Sequence, residues 1–426
     1  MSLEILTSKD FETLLQQAGF SFCASSKKLK IAVAVSGGAD SLALTILLDH
    51  WVRQQGGKLV ALTVDHGLRA HSAQEATELQ ALLIDRGIEH HILTWQGQKP
   101  STALQEKARK KRYELLKRWC LENGYDFLFL GHHQGDQNET YCMRLRQKSG
   151  LMGLACMRPL TKHQSLTVVR PFLDLSKERL EGTLKQHQIE WVEDPSNQNT
   201  AFERVFWRQT LGNTSPPLEL FQRLRKAYEG WIARYLKTYG QLSDLGYVHL
   251  NKRAFDQLPQ SFQGILLSFL FQAYGVGGYP LSSRSLSGIL NHLKNPNFSA
   301  TTAQGLRISK HKGDLLIARE YRAIKEEKEL LDQPFIWDKR FLIRPEKGLK
   351  GVIKCVGEKG WRDLLDRNPD LKNSPIPRAV LWSLPALWVD GGETIHLTCN
   401  GIVEAFQHEN RPLKSQMFLF RSKSPF

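Results

Sequence analysis

Between residues 29 and 130 short apolar runs alternate with longer amphipathic stretches. Leu29–Val35, Lys58–Val64 and Asp126–Leu130 are rich in β-branched or aromatic residues and are bounded by turn formers, which predicts buried strands. Leu42–Gln54 and Ala103–Glu122 carry helical periodicity over greater lengths. Strand, helix, strand, helix in this order implies a parallel sheet covered by helices on both faces. A last unit, Ser176–Gln188 followed by Ile189–Val192, closes this first domain.

The pattern changes at Leu211-Gly-Asn-Thr-Ser-Pro-Pro217, a turn-rich break and the best first boundary. After it, Leu218–Leu236 places Phe221, Leu224, Tyr228, Trp231, Ile232 and Tyr235 on one helical face and Arg223, Arg225, Lys226, Arg234 and Lys237 on the other. Helical patterns recur at Ser261–Tyr274 and Ser285–Leu293. Leu306–Ser309 and Leu315–Arg319, joined by Lys310-His-Lys-Gly-Asp314, predict a basic hairpin. The charged run Lys325-Glu-Glu-Lys-Glu329 reads as a second linker, and strand-like runs at Leu387–Val389 and Thr394–Thr398 suggest a small α+β domain. Three domains are therefore expected: 1–213 as α/β, 218–325 as mainly helical, and 335–426 as small α+β.

Composition adds the partners. With Lys+Arg 58 against Asp+Glu 43 the formal charge is +15, which favours a polyanion such as nucleic acid. Six scattered cysteines without a Cys-x-x-Cys pair argue against a disulfide framework or a cysteine zinc site and fit a reducing cytoplasm. The N-terminus lacks the order of a signal peptide. The charge-free stretch Gly264–Leu281 reads as a core helix and loop, not a membrane span. No obligatory protein partner is evident.

The strongest chemical signal is Ser36-Gly37-Gly38-Ala39-Asp40-Ser41, which joins an apolar strand to an apolar helix. Two glycines let the backbone approach a bulky anion, and the helix start aims free N–H groups and the positive end of its dipole at it. Ser36 and Ser41 add hydroxyls. Asp40 makes sense in such a loop as a holder of Mg2+ bridging the phosphates of ATP. No G-x-x-x-x-G-K-[ST] exists, so the lysine-bearing loop that handles a γ-phosphate is excluded. Asp65-His66-Gly67-Leu-Arg69 and His132-His133 with Asp136 follow two other strands, at the edge where open α/β sheets bind ligands.

These residues resemble the S-G-G-x-D-S loop of the N-type ATP pyrophosphatases and, within that superfamily, the tRNA(Ile)-lysidine synthetases. Val64-Asp-His-Gly-Leu-Arg69, Glu106-x-x-Arg109 with Arg112-Tyr113, and Gly131-His-His-Gln-Gly-Asp-Gln-Asn-Glu-Thr140 carry the likeness, which continues through Gly150–Leu154, Arg170-Pro171 and Asp194–Asn197. It is specific over about residues 28–208. The resemblance implies an adenylating ligase. ATP would adenylate the C2 oxygen of the wobble cytidine of tRNA(Ile) with a CAU anticodon, releasing pyrophosphate, and the ε-amine of L-lysine would then displace AMP. It also implies roles: Asp40 and Asp136 for Mg2+; Asp136, Arg109 and His133 in catalysis; and Arg112, Arg204 and Arg208 on tRNA.

Two departures stand out. The family usually has two aspartates after His-His-x, whereas this chain has Gly135-Asp136. An aspartate at 135 is expected to be tolerated unless Gly135 holds a positive φ. Val205 and Phe206 replace the middle of an R-N-x-x-R element whose outer arginines match Arg204 and Arg208. The rival readings are another base-adenylating enzyme such as a tRNA thiolase, a relative acting on a free small molecule, and an RNA-binding paralogue without catalysis. The missing cysteine pair, the missing glutaminase signature and the intact Ser36–Ser41 loop argue against them in turn.

Overall fold

A computed structural model describes residues 5–22, 29–68, 71–97, 99, 104–163, 166–192, 206–207, 216–243, 245–276, 280–330, 335–338, 340–343, 350–367, 369–389, 394–397 and 418–419. The chain divides into two compact units, Met1–Ala227 and Tyr228–Phe426.

The first unit runs α1 (Ser8–Gln17), β1 (Lys30–Ala34), α2 (Ala39–Gln54), β2 (Lys58–Asp65), α3 (Ser72–Ile84), β3 (Glu89–Thr94), α4 (Leu104–Glu122), β4 (Phe127–Leu130), α5 (Gln134–Arg146), α6 (Leu151–Leu154), β5 (Leu160–His163), β6 (Leu166–Val169) and α7 (Lys177–Gln186). The strands form one sheet in the order β3-β2-β1-β4-β6-β5, parallel except for the edge strand β5. Alternate side chains of β1 divide between two cores. Ile31 and Val33 pack with Phe11, Leu44, Leu48, Phe129 and Phe172 on one face, and Ala32 packs with Leu62, Leu116 and Leu128 on the other. A central strand buried on both sides has to be apolar throughout, which is why residues 31–33 show no polar alternation.

Because β2 and β3 lie on one side of β1 and β4 and β6 on the other, the chain reverses its winding direction between β1 and β4. A crevice opens at the carboxyl ends of the strands there. The expected strands and helices of this unit are present. α3, β3 and the β5–β6 hairpin join them, and Ile189–Val192, expected to close the domain, is not a strand.

α8 (Leu218–Tyr239) begins in the first unit and ends in the second. The second unit continues with β7 (Gly240–Leu242), β8 (Val248–Leu250), α9 (Lys252–Asp256), α10 (Gln260–Tyr274), α11 (Ser283–Lys294), β9 (Ala300–Ala303), β10 (Leu306–His311) and β11 (Asp314–Arg319). The expected basic hairpin is β10–β11, turning on Lys312 and Gly313, both at positive φ. The segment expected to be mainly helical also holds an antiparallel sheet, β7-β8-β11-β10-β9, packed on α8, α10 and α11 through Leu236, Leu267, Phe271, Leu290, Ile308 and Ile317.

The remaining elements are β12 (Lys328–Glu329), β13 (Phe335–Trp337), β14 (Phe341–Ile343), β15 (Val352–Cys355), α12 (Gly357–Arg367), α13 (Arg378–Leu381), β16 (Pro385–Val389), β17 (Thr394–Leu397) and β18 (Phe418–Leu419). Trp337, Phe341, Trp361 and Trp388 fill their core. The charged run read as a linker is built into this fold. Lys328–Glu329 pairs with β15, and the Glu326 carbonyl accepts from Trp337 Nε1 at 3.0 Å. Among the described residues no helix is long and apolar enough to cross a membrane.

Candidate active site

The Ser36–Ser41 loop sits at the crevice between β1 and β4. Gly37 has φ +83°, a conformation that favours glycine. Gly38 is the N-cap of α2, and no side chain caps the helix there. The first turn therefore offers its amides to an incoming anion. The hydroxyls mostly brace the loop. Ser41 Oγ accepts from Ser36 N–H at 3.1 Å and donates to Gly38 O at 3.0 Å, with Ser36 Oγ 3.3 Å away. Ser41, read as an added phosphate donor, thus spends its proton inside the loop.

A support that the sequence did not reveal lies beneath. Thr63 Oγ1 donates to the Val35 carbonyl at 3.0 Å, so its 2.8 Å bond to His90 Nε2 must be one it accepts. His90 is buried at 6% exposure, and burial, helped by His91, pushes its pKa down to about 4.

Gly131, just after β4, brings the two halves of the site together. A Cβ there would stand 2.9 Å from Asp40 O and 3.0 Å from Ser41 Cα, so only glycine lets the end of β4 touch the first turn of α2. His133 then reaches the phosphate loop, with Asp136 beside it. His133 Nε2 lies 3.7 Å from Asp40 Oδ2 and 3.8 Å from Asp136 Oδ2. Asp136 Oδ2 also accepts from the His133 backbone N–H at 3.0 Å, capping α5. Burial raises the Asp40 carboxyl above its usual range; His133 works against this, and the charge of Asp136 adds to it. Asp40 Oδ1 is buried with no hydrogen-bond partner among the described residues.

That orphaned oxygen is what a hard cation wants. Among the described residues no three His, Cys, Asp or Glu are grouped to hold a metal by themselves. The donor set fits magnesium, which binds through one or two carboxylates together with substrate phosphates.

Arg109 and Arg112 both face the Tyr113 ring, at 5.4 and 5.7 Å from its centroid. Arg170, from the end of β6, lies near enough to the Tyr113 phenol to act on its charge. Burial would raise that phenol, but Arg109, Arg170 and Arg112 outweigh it and leave it below its ordinary value. Burial also lowers Lys117 beside it, and drives His132 down to about 3 with help from the same arginines, so His132 is neutral. Nε of Arg112 and Nε of Arg170 are buried without a partner among the described residues. The site thus carries a carboxylate side at Asp40 and Asp136 and a cationic side around Tyr113. Arg170, Lys117 and Gly131 escaped the sequence reading as site residues. The Arg170-Pro171 pair within the family likeness was the one available signal for the first.

Asp65 Oδ1 accepts from Gly67 N–H at 2.8 Å, so this motif forms a capped turn. His66 stands edge-on to Trp95 at 5.9 Å, and burial followed by the charge of Arg112 lowers its pKa. Arg69, Asp194–Asn197, Arg204 and Arg208 lie outside the described residues. Gly135 is not at positive φ; a side chain there is opposed instead by the His133 ring, whose Cε1 would be 2.5 Å from a Cβ.

The parallel sheet, the uncapped loop at its switch point and the facing carboxylates define a PP-loop ATP-using domain. The PP-loop domain family matches residues 8–215. The chain is similar to tRNA(Ile)-lysidine synthase from Wolbachia pipientis wMel, 34% identical over 73% of this chain and 76% of that one. It is likewise similar to the proteins of that name from Ruegeria pomeroyi, 31% identical over 89% and 91%, and from the Wolbachia of Brugia malayi, 33% identical over 92% and 93%. The chain belongs to the tRNA(Ile)-lysidine synthase family and is an ATP-dependent ligase.

Proposed function

We propose that this enzyme adenylates the C2 oxygen of the wobble cytidine in tRNA(Ile) with a CAU anticodon and then joins L-lysine to form lysidine. The observation that carries the reading is the uncapped first turn of α2 beside the orphaned Asp40 oxygen. In the first step the C2 oxygen bonds to the α-phosphorus, the α–β bridging bond breaks and pyrophosphate leaves. In the second the lysine ε-nitrogen bonds to C2 and gives up a proton, while the C2–O bond breaks and AMP leaves.

The Ser36–Ser41 backbone holds the departing pyrophosphate, and Arg109, with Arg112 and Arg170, balances charge on the α-phosphoryl and the RNA backbone. Asp40 and Asp136 would hold Mg2+, which when bound neutralises phosphate charge. His133 keeps those two carboxylates oriented. The basic second unit, with Arg204 and Arg208 of the first, takes the tRNA, whose splayed wobble base must enter the crevice. The domain division 1–213, 218–325 and 335–426 belongs to the same reading, with a cytoplasmic setting.

The test combines the protein with ATP, magnesium, L-lysine and tRNA(Ile). AMP and pyrophosphate should form in step with lysidine, seen by nucleoside mass spectrometry. ADP and orthophosphate would overturn the loop assignment, and adenylation that ends in a thiolated base would favour a tRNA thiolase.

A further inference from the structure

Gly135 is small for a physical reason visible in the site. Its N–H donates to His133 Nδ1 at 3.0 Å, and the imidazole lies across the place where a side chain would be. A Cβ on residue 135 would be 2.5 Å from Cε1 and 3.1 Å from Nδ1, while the backbone φ would suit any residue. Among the described residues the nearest obstacle to a side chain there is the His133 ring.

A ring nitrogen that accepts a hydrogen bond carries no proton, so with Nδ1 accepting from Gly135 N–H the ring proton sits on Nε2. Nε2 is the atom placed 3.7 Å from Asp40 Oδ2 and 3.8 Å from Asp136 Oδ2. The ring is 6% exposed, so water cannot readily substitute for either contact.

We propose that Gly135 is a positioning residue: by lacking a side chain it locks His133 as the Nε2–H tautomer, aimed between the carboxylates of Asp40 and Asp136, and so tunes their affinity for a divalent cation. The cation part of this rests on reading those carboxylates as the Mg2+ pair; the tautomer lock does not. Placed 3.7 and 3.8 Å from those oxygens, Nε2 of His133 partly offsets the two negative charges electrostatically in the metal-free protein. A methyl group at 135 pushes the ring away, frees Nδ1 from its donor and lets the proton occupy either nitrogen. The carboxylates then attract a cation more strongly before the nucleotide arrives.

Gly135→Ala is a mild change for the fold, because alanine suits the first turn of a helix better than glycine does. Two measurements on the metal-free full-length protein test the proposal. Ring 15N shifts of His133 should show a single Nε2–H tautomer in the parent and a mixture in Gly135→Ala. Mn2+ affinity without nucleotide should rise in Gly135→Ala by roughly three- to tenfold, the scale on which one neighbouring polar donor affects a charged group. In a His133→Ala background, Gly135→Ala should change Mn2+ affinity no further. A single Nε2–H tautomer retained in Gly135→Ala, an unmoved Mn2+ affinity, or an equal effect in both backgrounds would overturn the proposal. Mn2+ binding indifferent to Asp40→Ala would refute the magnesium assignment instead, leaving the tautomer result to decide the lock.

Discussion

Replacing Asp136 by asparagine separates the two jobs this side chain performs. Its Oδ2 accepts the His133 N–H at 3.0 Å, which an amide oxygen can also do, and its negative charge faces the phosphate loop beside Asp40. Exchanging a charged acceptor for a neutral one weakens the cap by about 1 kcal/mol. Removing the charge that helps hold Asp40 up relieves a repulsion of opposite sign, so the net effect on stability should stay within about 1 kcal/mol. For a unit of this size that is no more than about 4 °C in Tm. Catalysis should fare very differently. Loss of one preorganised charge next to the reacting phosphates commonly costs about 10²–10³ in rate, or roughly 3–4 kcal/mol. The assay is single-turnover formation of adenylated tRNA with lysine omitted, run beside a thermal melt. A near-wild-type rate, or a slow rate explained by a collapsed melting temperature, would refute the charge argument.

Asp40→Ala should abolish magnesium-dependent pyrophosphate release yet leave circular dichroism unchanged, since its Oδ1 supports no hydrogen bond among the described residues. His90, neutral when folded with a pKa of about 4 against 6.5 unfolded, contributes about 3 kcal/mol that is fully present above pH 6.5 and lost as pH falls through 4. Urea titrations of His90→Gln should accordingly show a shallower acid dependence over that window, and an unchanged slope would count against the buried neutral imidazole. Binding of tRNA should fall roughly 10³-fold or more between 50 and 200 mM salt if about six phosphates are contacted. A chain cut after Ala227 should keep ATP binding and lose most tRNA affinity. A cut there retains the bond from Arg225 Nη1 to Cys156 O at 2.8 Å and the packing of Phe221 on Tyr141. Equal salt-dependent tRNA affinity of the cut and full chains would exclude this division of labour.

The phosphate loop was legible in the sequence because all of its parts are contiguous. An apolar strand, two glycines and an apolar helix determine locally where backbone amides point, and no distant residue is needed to predict them. Helices long enough for several turns, such as α4, α8 and α10, were legible for the same reason. The sheet of the second unit was mostly invisible, since strands of three to six residues carry too few alternations to separate from loops. What only tertiary structure decided is which loops meet. The order β3-β2-β1-β4-β6-β5 places the end of β4 beside the end of β1, and Gly131 lets them touch. That contact sets His133 between two carboxylates 96 positions apart in the chain, Asp40 and Asp136. The same packing brings Arg170 to Tyr113 and His90 under the loop through Thr63. Side-chain burial and charge proximity, which lower the pKa of His90 and His132 and raise that of Asp40, are properties of that three-dimensional neighbourhood. No local pattern of residues encodes them, because the groups that desolvate and polarise each side chain arrive from strands far away in sequence.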